Sequence, residues 1–190
     1  MKVSNQFSIY LVQNHIITEE DKEIVSFGIE QMGITFVNII TFLGMGLLLH
    51  TFYETIFFLL VFASVRRYAG GYHAPTRRRC FLYSIIIVGT SLFLIKYIYM
   101  NRVFCVISSW IAGSVIVTNS PVEDRNKPLN AYEVCAYWKR AVLLSLMWIV
   151  LLNIMAVMKQ DIYVYIIWTA MVWIAILLVM GKIKNFKLED

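Results

Sequence analysis

Charge is scarce in this chain: only 15% of its 190 residues are Asp, Glu, Lys or Arg, against about 25% in an ordinary soluble domain. Proline is scarcer still, with three in the whole chain. No Gly/Ser/Pro-rich stretch divides the sequence, so residues 1–190 read as a single domain. The three cysteines are widely separated and in neither zinc nor redox spacing, which argues against a disulfide framework or a cysteine-rich metal site. No metal or other cofactor is expected, and any chemistry at a cysteine is that of a lone thiol. The opening MKVSNQFSIYLVQNHIITEEDKE has a short, interrupted apolar stretch without a small-residue cleavage pattern, so it does not read as a cleavable signal peptide.

Apolar residues are abundant instead, at 59% of the chain with a mean hydropathy of +0.69. They fall into six blocks, about 33–49, 52–65, 81–95, 103–117, 141–158 and 162–180. The fold expected is an all-α polytopic integral membrane protein with about six transmembrane helices. The first four blocks are short against the roughly 20 residues a bilayer crossing needs, but flanking tyrosines and a snorkelling Lys96 extend them. Residues 33–65 hold one formal charge, Glu54, and are too many for one span. A tight turn near His50 with two crossings is the simpler division, and a re-entrant pair competes with it. Ahead of the first block, Thr18 and Asp21 form a capping-box-like start. The loosely helical Ile24, Val25, Phe27 and Met32, interrupted by Gly28, predict an interfacial helix feeding the first span.

Lysine and arginine set the expected orientation. If the N-terminus is cytosolic and all six blocks cross, every Lys and Arg except Lys96, Arg102 and Lys159 lies on the cytosolic side, as the positive-inside rule requires. Both termini and the loops 66–80 and 119–140 then face the cytosol. The same topology accounts for much of the net charge of +5. Without a recognition helix or an aromatic stacking sheet, nucleic acid is not an expected partner, whereas membrane lipid is.

The loop RRYAGGYHAPTRRRC, residues 66–80, joins two apolar blocks and carries five arginines, a histidine and a cysteine. On one straight helix His73 and Cys80 would sit about 10.5 Å apart along the axis, too far for a base and its nucleophile. Gly70 and Gly71 permit close backbone approach, and Pro75 turns Ala74 away from helical geometry, so a bend can fold His73 back toward Cys80. Nearby imidazolium, the arginines 77–79 and a helix beginning near Phe81 would all favour a thiolate. Arginines at a membrane boundary also anchor spans, so from spacing alone a catalytic dyad and an incidental pair both stand. Cys105, inside an apolar block, reads as packing; Cys135 in AYEVCAYWKR is the alternative thiol.

RRYAGGYHAPTRRRC resembles the accessory gene regulator B (AgrB) family of bacterial membrane cysteine endopeptidases. SPVEDRNKPL, residues 120–129, is similar to that family's cytosolic Pro/Asn loop, and the size and six-span layout also match. The resemblance implies a multi-pass protein of the bacterial cell membrane with His73 and Cys80 as the catalytic pair. It places Gly71 and Ala74 in the glycine and alanine positions around the histidine, and Arg66 and Arg67 in the basic pair. The implied substrate is an AgrD-like precursor peptide, cut on the C-terminal side of its signal segment. An internal Cys or Ser of that segment then attacks the enzyme-bound thioester, closing a thiolactone or lactone ring used as a quorum-sensing autoinducer.

Around that pair, Arg77, Arg78 and Arg79 are supporting candidates. Glu30 and Glu54 are candidates to orient His73, and Ser84, one turn beyond Cys80, can bond nearby groups. Each has a plain structural alternative: an interfacial charge for Glu30, an arginine partner for Glu54, a bond to its own helix for Ser84. Amides of the 77–80 turn are favoured over an arginine as oxyanion donors. In SPVEDRNKPL, Pro121, Asn126, Lys127 and Pro128 are candidates for binding the precursor, and a simple connector is the other reading. The apolar faces leave room for a homodimer. The rival class is a small membrane transporter or exporter of peptides; few intramembrane charges, no internal repeat and no paired broken helices argue against it.

Overall fold

The computed structural model of the protein describes residues 2–72, 74, 76–123 and 129–186. Among these residues it is all-helical, with α1 (Lys2–Gln13), α2 (Lys22–Leu48), α3 (Phe52–Ala69), α4 (Arg77–Tyr97), α5 (Arg102–Asn119), α6 (Ala131–Val157) and α7 (Asp161–Phe186). The six apolar blocks fall on α2 to α7. Five of those helices, all but α3, are long and apolar enough to cross a membrane, which makes this a membrane protein. In α3 the apolar run is closed in by Glu54 at one end and Arg66 and Arg67 at the other.

Helix starts follow local chemistry. The Thr18 hydroxyl accepts from the Asp21 amide at 3.3 Å and donates to the Asp21 carboxylate at 2.7 Å. The helix that follows, α2, runs unbroken through residues 22–32 into the first apolar block, and the separate N-terminal helix is α1. Thr76 caps α4, Asn101 caps α5, and Asn130 with Glu133 forms a capping box on α6, so the amides that have no intrahelical partner find side-chain oxygens.

The chain divides into two compact units, residues 1–44 and 45–190. In the first, the turn after α1 passes through His15, whose φ is 55°, and the Ser8 hydroxyl donates to the Asn5 carbonyl at 3.0 Å. Most of the apolar surface of α2 is uncovered there, including Phe27, Met32 and Phe36.

The second unit is built on α7, which touches α3, α4, α5 and α6. Every residue from Val164 to Met171 is buried, as are Ile174, Ala175, Leu177, Leu178 and Gly181. A helix apolar all round in this way belongs at the centre of a bundle. Indole and hydroxyl groups tie the bundle together: Trp168 donates to Ser108 at 2.7 Å, Trp148 to Ser64 at 2.9 Å, and Tyr165 to the Met100 carbonyl at 2.7 Å. Such bonds average about 0.6 kcal/mol in membranes, so close packing around α7 supplies most of the cohesion.

Successive helices of this unit alternate in direction. At one end, the expected turn forms at His50 (φ 53°), Lys96 donates to the Leu49 carbonyl at 2.5 Å, and Arg102 meets Asp161 at 2.6 Å. At the other end the close of α3 meets the start of α6, where Tyr68 packs edge-on against Tyr137 and lies under Arg140. The start of α4 and the end of α7 are at that second end too, joined through Tyr72.

Candidate functional site

The site begins where α3 stops. Gly70 (φ 70°) and Gly71 (φ 122°) hold backbone conformations that side chains rarely tolerate, and the space around them is closed. Gly70 pairs with Val122 in an isolated parallel bridge, with the Val122 amide donating to the Ala69 carbonyl at 2.9 Å. A Cβ on Gly70 would strike the Val122 carbonyl, and one on Gly71 would lie 2.5 Å from Arg66 Nη1 and 2.9 Å from the Leu177 carbonyl. The chain then docks on α7: the Tyr72 amide donates to the Leu177 carbonyl at 2.8 Å. A Cβ at Gly181 would come within 2.7 Å of the Gly71 and Tyr72 backbone. Three glycines thus let the loop pass between the 120–123 segment and α7.

Arg66, in the last turn of α3 beyond its apolar run, reaches into this loop. Its Nη2 donates to the Tyr72 carbonyl at 2.7 Å, while Nη1 is fully covered and has no hydrogen-bond partner among the described residues. Burial pushes the Arg66 guanidinium down to about 10, and the charge of Cys80 acts in the opposite direction, so the arginine stays protonated at neutral pH. Aromatic contacts bind the same loop to the next helix. The Tyr72 ring stands edge-on to Tyr83 at 5.9 Å, with Lys184 Nζ of α7 5.4 Å from the centre of the same ring.

Cys80 sits in the first turn of α4, half-buried, where the helix dipole favours an anion. Its amide donates to the Thr76 carbonyl at 3.0 Å, and the Arg79 amide donates to the Thr76 hydroxyl at 3.4 Å. The turn expected to offer amides to an oxyanion has therefore committed those of Arg79 and Cys80 to capping its own helix. Among the described residues no group of three or more His, Cys, Asp or Glu side chains is arranged to hold a metal ion.

Residues 4–178, which take in this loop and all of the bundle except the end of α7, match the family model for accessory gene regulator B. The chain belongs to the AgrB family. It is 33% identical over 117 residues to an AgrB-like protein of Clostridium perfringens strain 13, covering 58% of this chain and 55% of that one. It is 26% identical to accessory gene regulator protein B of Staphylococcus lugdunensis over 64% of each chain. With the protein of the same description from Staphylococcus aureus strain MW2 it is 24% identical, over 67% of this chain and 68% of the other. The match to the clostridial relative thus spans just over half of that protein's length. No solved structure matches the chain.

In this AgrB-family chain, Arg66 packs against Gly71, and Cys80 lies in the first turn of α4. His73, which follows Tyr72 directly, lies outside the described residues, as do Asn126, Lys127 and Pro128. Ala74 is half-buried; Arg78 and Arg79 are exposed beside the cap, and Arg77 opens the helix with its backbone. Arg67 points the other way, its guanidinium 5.8 Å from the Tyr68 ring. The Ser84 hydroxyl donates to the Cys80 carbonyl at 3.0 Å, a bond to its own helix. Pro121 adjoins Val122, which brings the start of SPVEDRNKPL alongside the Gly70 loop.

Glu54 opens α3, twelve residues from Arg66 and so about 18 Å away along the axis, at the end where Lys96 meets Leu49. Glu30 belongs to the first unit, and the arrangement around Cys80 is built within residues 45–190. Cys105 is buried in α5 and Cys135 is exposed on α6. The sequence reading did not single out Tyr72, Val122, Leu177 or Gly181. Of these only Gly181 carries a local signal, a lone glycine inside an apolar helix, and that sign marks close packing without naming what packs there.

Proposed function

We propose that this protein is a membrane cysteine endopeptidase that cleaves a quorum-sensing precursor peptide and promotes its cyclisation. Cys80 is the nucleophile and His73 its base. The observation that carries the reading is the placement of Cys80 in the first turn of α4, beside a glycine-bent loop that leads into His73 and a half-buried, protonated Arg66. A thiol at a helix N-terminus near a fixed cation is suited to react as thiolate.

In the first step the thiol proton passes to His73 as Sγ attacks the carbonyl at the end of the signal segment. Collapse of the tetrahedral adduct breaks the C–N bond, the departing amine takes the proton from His73, and a thioester remains on Cys80. In the second, an internal Cys or Ser of the precursor attacks that thioester, closes the ring and restores the Cys80 thiol. Holding both ends of the peptide at the membrane favours this attack over water. The site faces the cytosol of a bacterial cell, where the precursor is made, and the basic end of the bundle receives the peptide's acidic tail. Val122 pairing with Gly70 favours a precursor-binding role for the 120–129 loop over a mere connector.

The test is a panel of purified variants with the precursor encoded beside this protein. Cys80→Ser and His73→Ala should fold and leave the precursor uncut, whereas Cys105→Ala and Cys135→Ala should cut it. Retained cleavage by Cys80→Ser rules the reading out. Peptide flux into liposomes that persists after loss of Cys80 would place the protein among transporters.

A further inference from the structure

We propose that Arg66 is the oxyanion donor of this reaction, its covered Nη1 receiving the negative charge that develops on the scissile carbonyl oxygen; this rests on the reading of Cys80 as nucleophile. A buried donor without an acceptor costs about 1–3 kcal/mol, and more when it carries charge. Arg66 Nη1 is such a donor, and its surroundings hold it in place. Nη2 is bonded to the Tyr72 carbonyl at 2.7 Å, and Nη1 packs against Gly71, where the positive φ and the Leu177 carbonyl 2.9 Å from an added Cβ require glycine. Tyr72 is itself held by Tyr83 of α4 and Lys184 of α7.

Two of the backbone alternatives, those nearest the thiol, are used. Of the four amides in the 77–80 turn, that of Cys80 is bonded to the Thr76 carbonyl and that of Arg79 to the Thr76 hydroxyl. Arg66 is tied through the Tyr72 carbonyl to a residue whose ring stands against Tyr83, one turn beyond Cys80 on α4, and the charge of Cys80 counters the effect of burial on the Arg66 cation. A cation that is underpaired before the reaction and gains an anion during it stabilises the transition state selectively.

The step balances with no further reactant. As the Sγ–C bond forms, the carbonyl π pair moves onto oxygen, and Arg66 donates hydrogen bonds while keeping its protons. Collapse returns the pair to carbon–oxygen bonding and expels the amine, which leaves with the proton given up by Sγ.

The experiment uses the full chain in nanodiscs and two precursors, one with the natural scissile amide and one with a thioamide, whose sulfur accepts hydrogen bonds poorly. The rate of adduct formation on Cys80 is read in single turnovers for wild type, Arg66→Lys and Arg66→Gln. Acylation by the amide should fall about 100- to 1,000-fold in Arg66→Gln and less in Arg66→Lys. The oxygen-to-sulfur rate ratio should fall by roughly tenfold or more, because the discriminating donor is gone. That ratio compares two substrates on one preparation, so a partly unfolded variant still reports it. Alkylation of Cys80 by iodoacetamide, which reports only the loss of a cation near the thiol, should fall much less than acylation.

An unchanged ratio in Arg66→Gln overturns the inference, as does alkylation falling in step with acylation, which would assign Arg66 to the thiol. A wild-type protein that forms no adduct with either precursor removes the peptidase reading itself. Wild-type adduct with an unchanged ratio in the variants removes only the role of Arg66.

Discussion

At the scale of single residues, the arrangement turns on groups too small to carry chemistry. Gly71 and Gly181 face each other across the contact between the loop and α7, and each leaves space that backbone fills. Gly181→Val should overpack that contact and cost about 1–3 kcal/mol, read as a lower thermal midpoint in detergent, with cleavage reduced because the loop is displaced. Gly33→Val, where an added Cβ meets nothing within 4 Å, should leave both close to wild type; equal effects at 33 and 181 would contradict the packing account. Cys80 and the bend at Gly70–Gly71 were legible in the sequence because thiol, glycine and proline carry their chemistry in their identity. Gly181 was not, since its partner Gly71 lies in another part of the chain and only the fold brings them together. Arg66 stood out as one of several arginines, but nothing local distinguished it from Arg67, which turns outward onto Tyr68.

At the scale of elements, the apolar blocks located α2 to α7, but their ends depended on polar residues beside them. The short 81–95 block lengthens into α4 because Thr76 caps it at Arg77, which draws Cys80 inside the first turn. Thr76→Ala removes that cap and should cost about 1 kcal/mol. It should also slow cleavage, because the Arg79 amide loses its side-chain acceptor and the turn that carries Cys80 loosens. A variant with wild-type cleavage and thermal midpoint would show that the cap does not hold the nucleophile. The pairing of Val122 with Gly70 could not be read ahead, because one parallel bridge between two loops leaves no periodic trace in either.

At the scale of the whole molecule, alternation of the helices in residues 45–190 places the basic residues at 66, 67, 78, 79, 140 and 184 toward one end, with Lys96 and Arg102 at the other. The proposed orientation puts the first end in the cytosol, following the charge pattern. Tyr99 is almost fully exposed at the far end and Tyr132 is exposed at the start of α6. In a background without native cysteines, an impermeant thiol reagent should label Tyr99→Cys on intact cells and Tyr132→Cys only after lysis. The reverse would overturn the orientation.

The account as a whole requires a covalent intermediate on Cys80, since an enzyme-bound thioester can pass its acyl group to the precursor's own side chain where hydrolysis would discharge it. With a precursor whose internal Cys or Ser is replaced by Ala, cleavage should proceed and ring closure fail. Intact-protein mass spectrometry should then find an adduct on Cys80 equal in mass to the signal segment plus leader, less water, and removable by hydroxylamine. Normal ring formation from the unblocked precursor with no such adduct in rapid-quench samples, under conditions where a control thioester survives, would contradict it and assign the attack to the precursor itself.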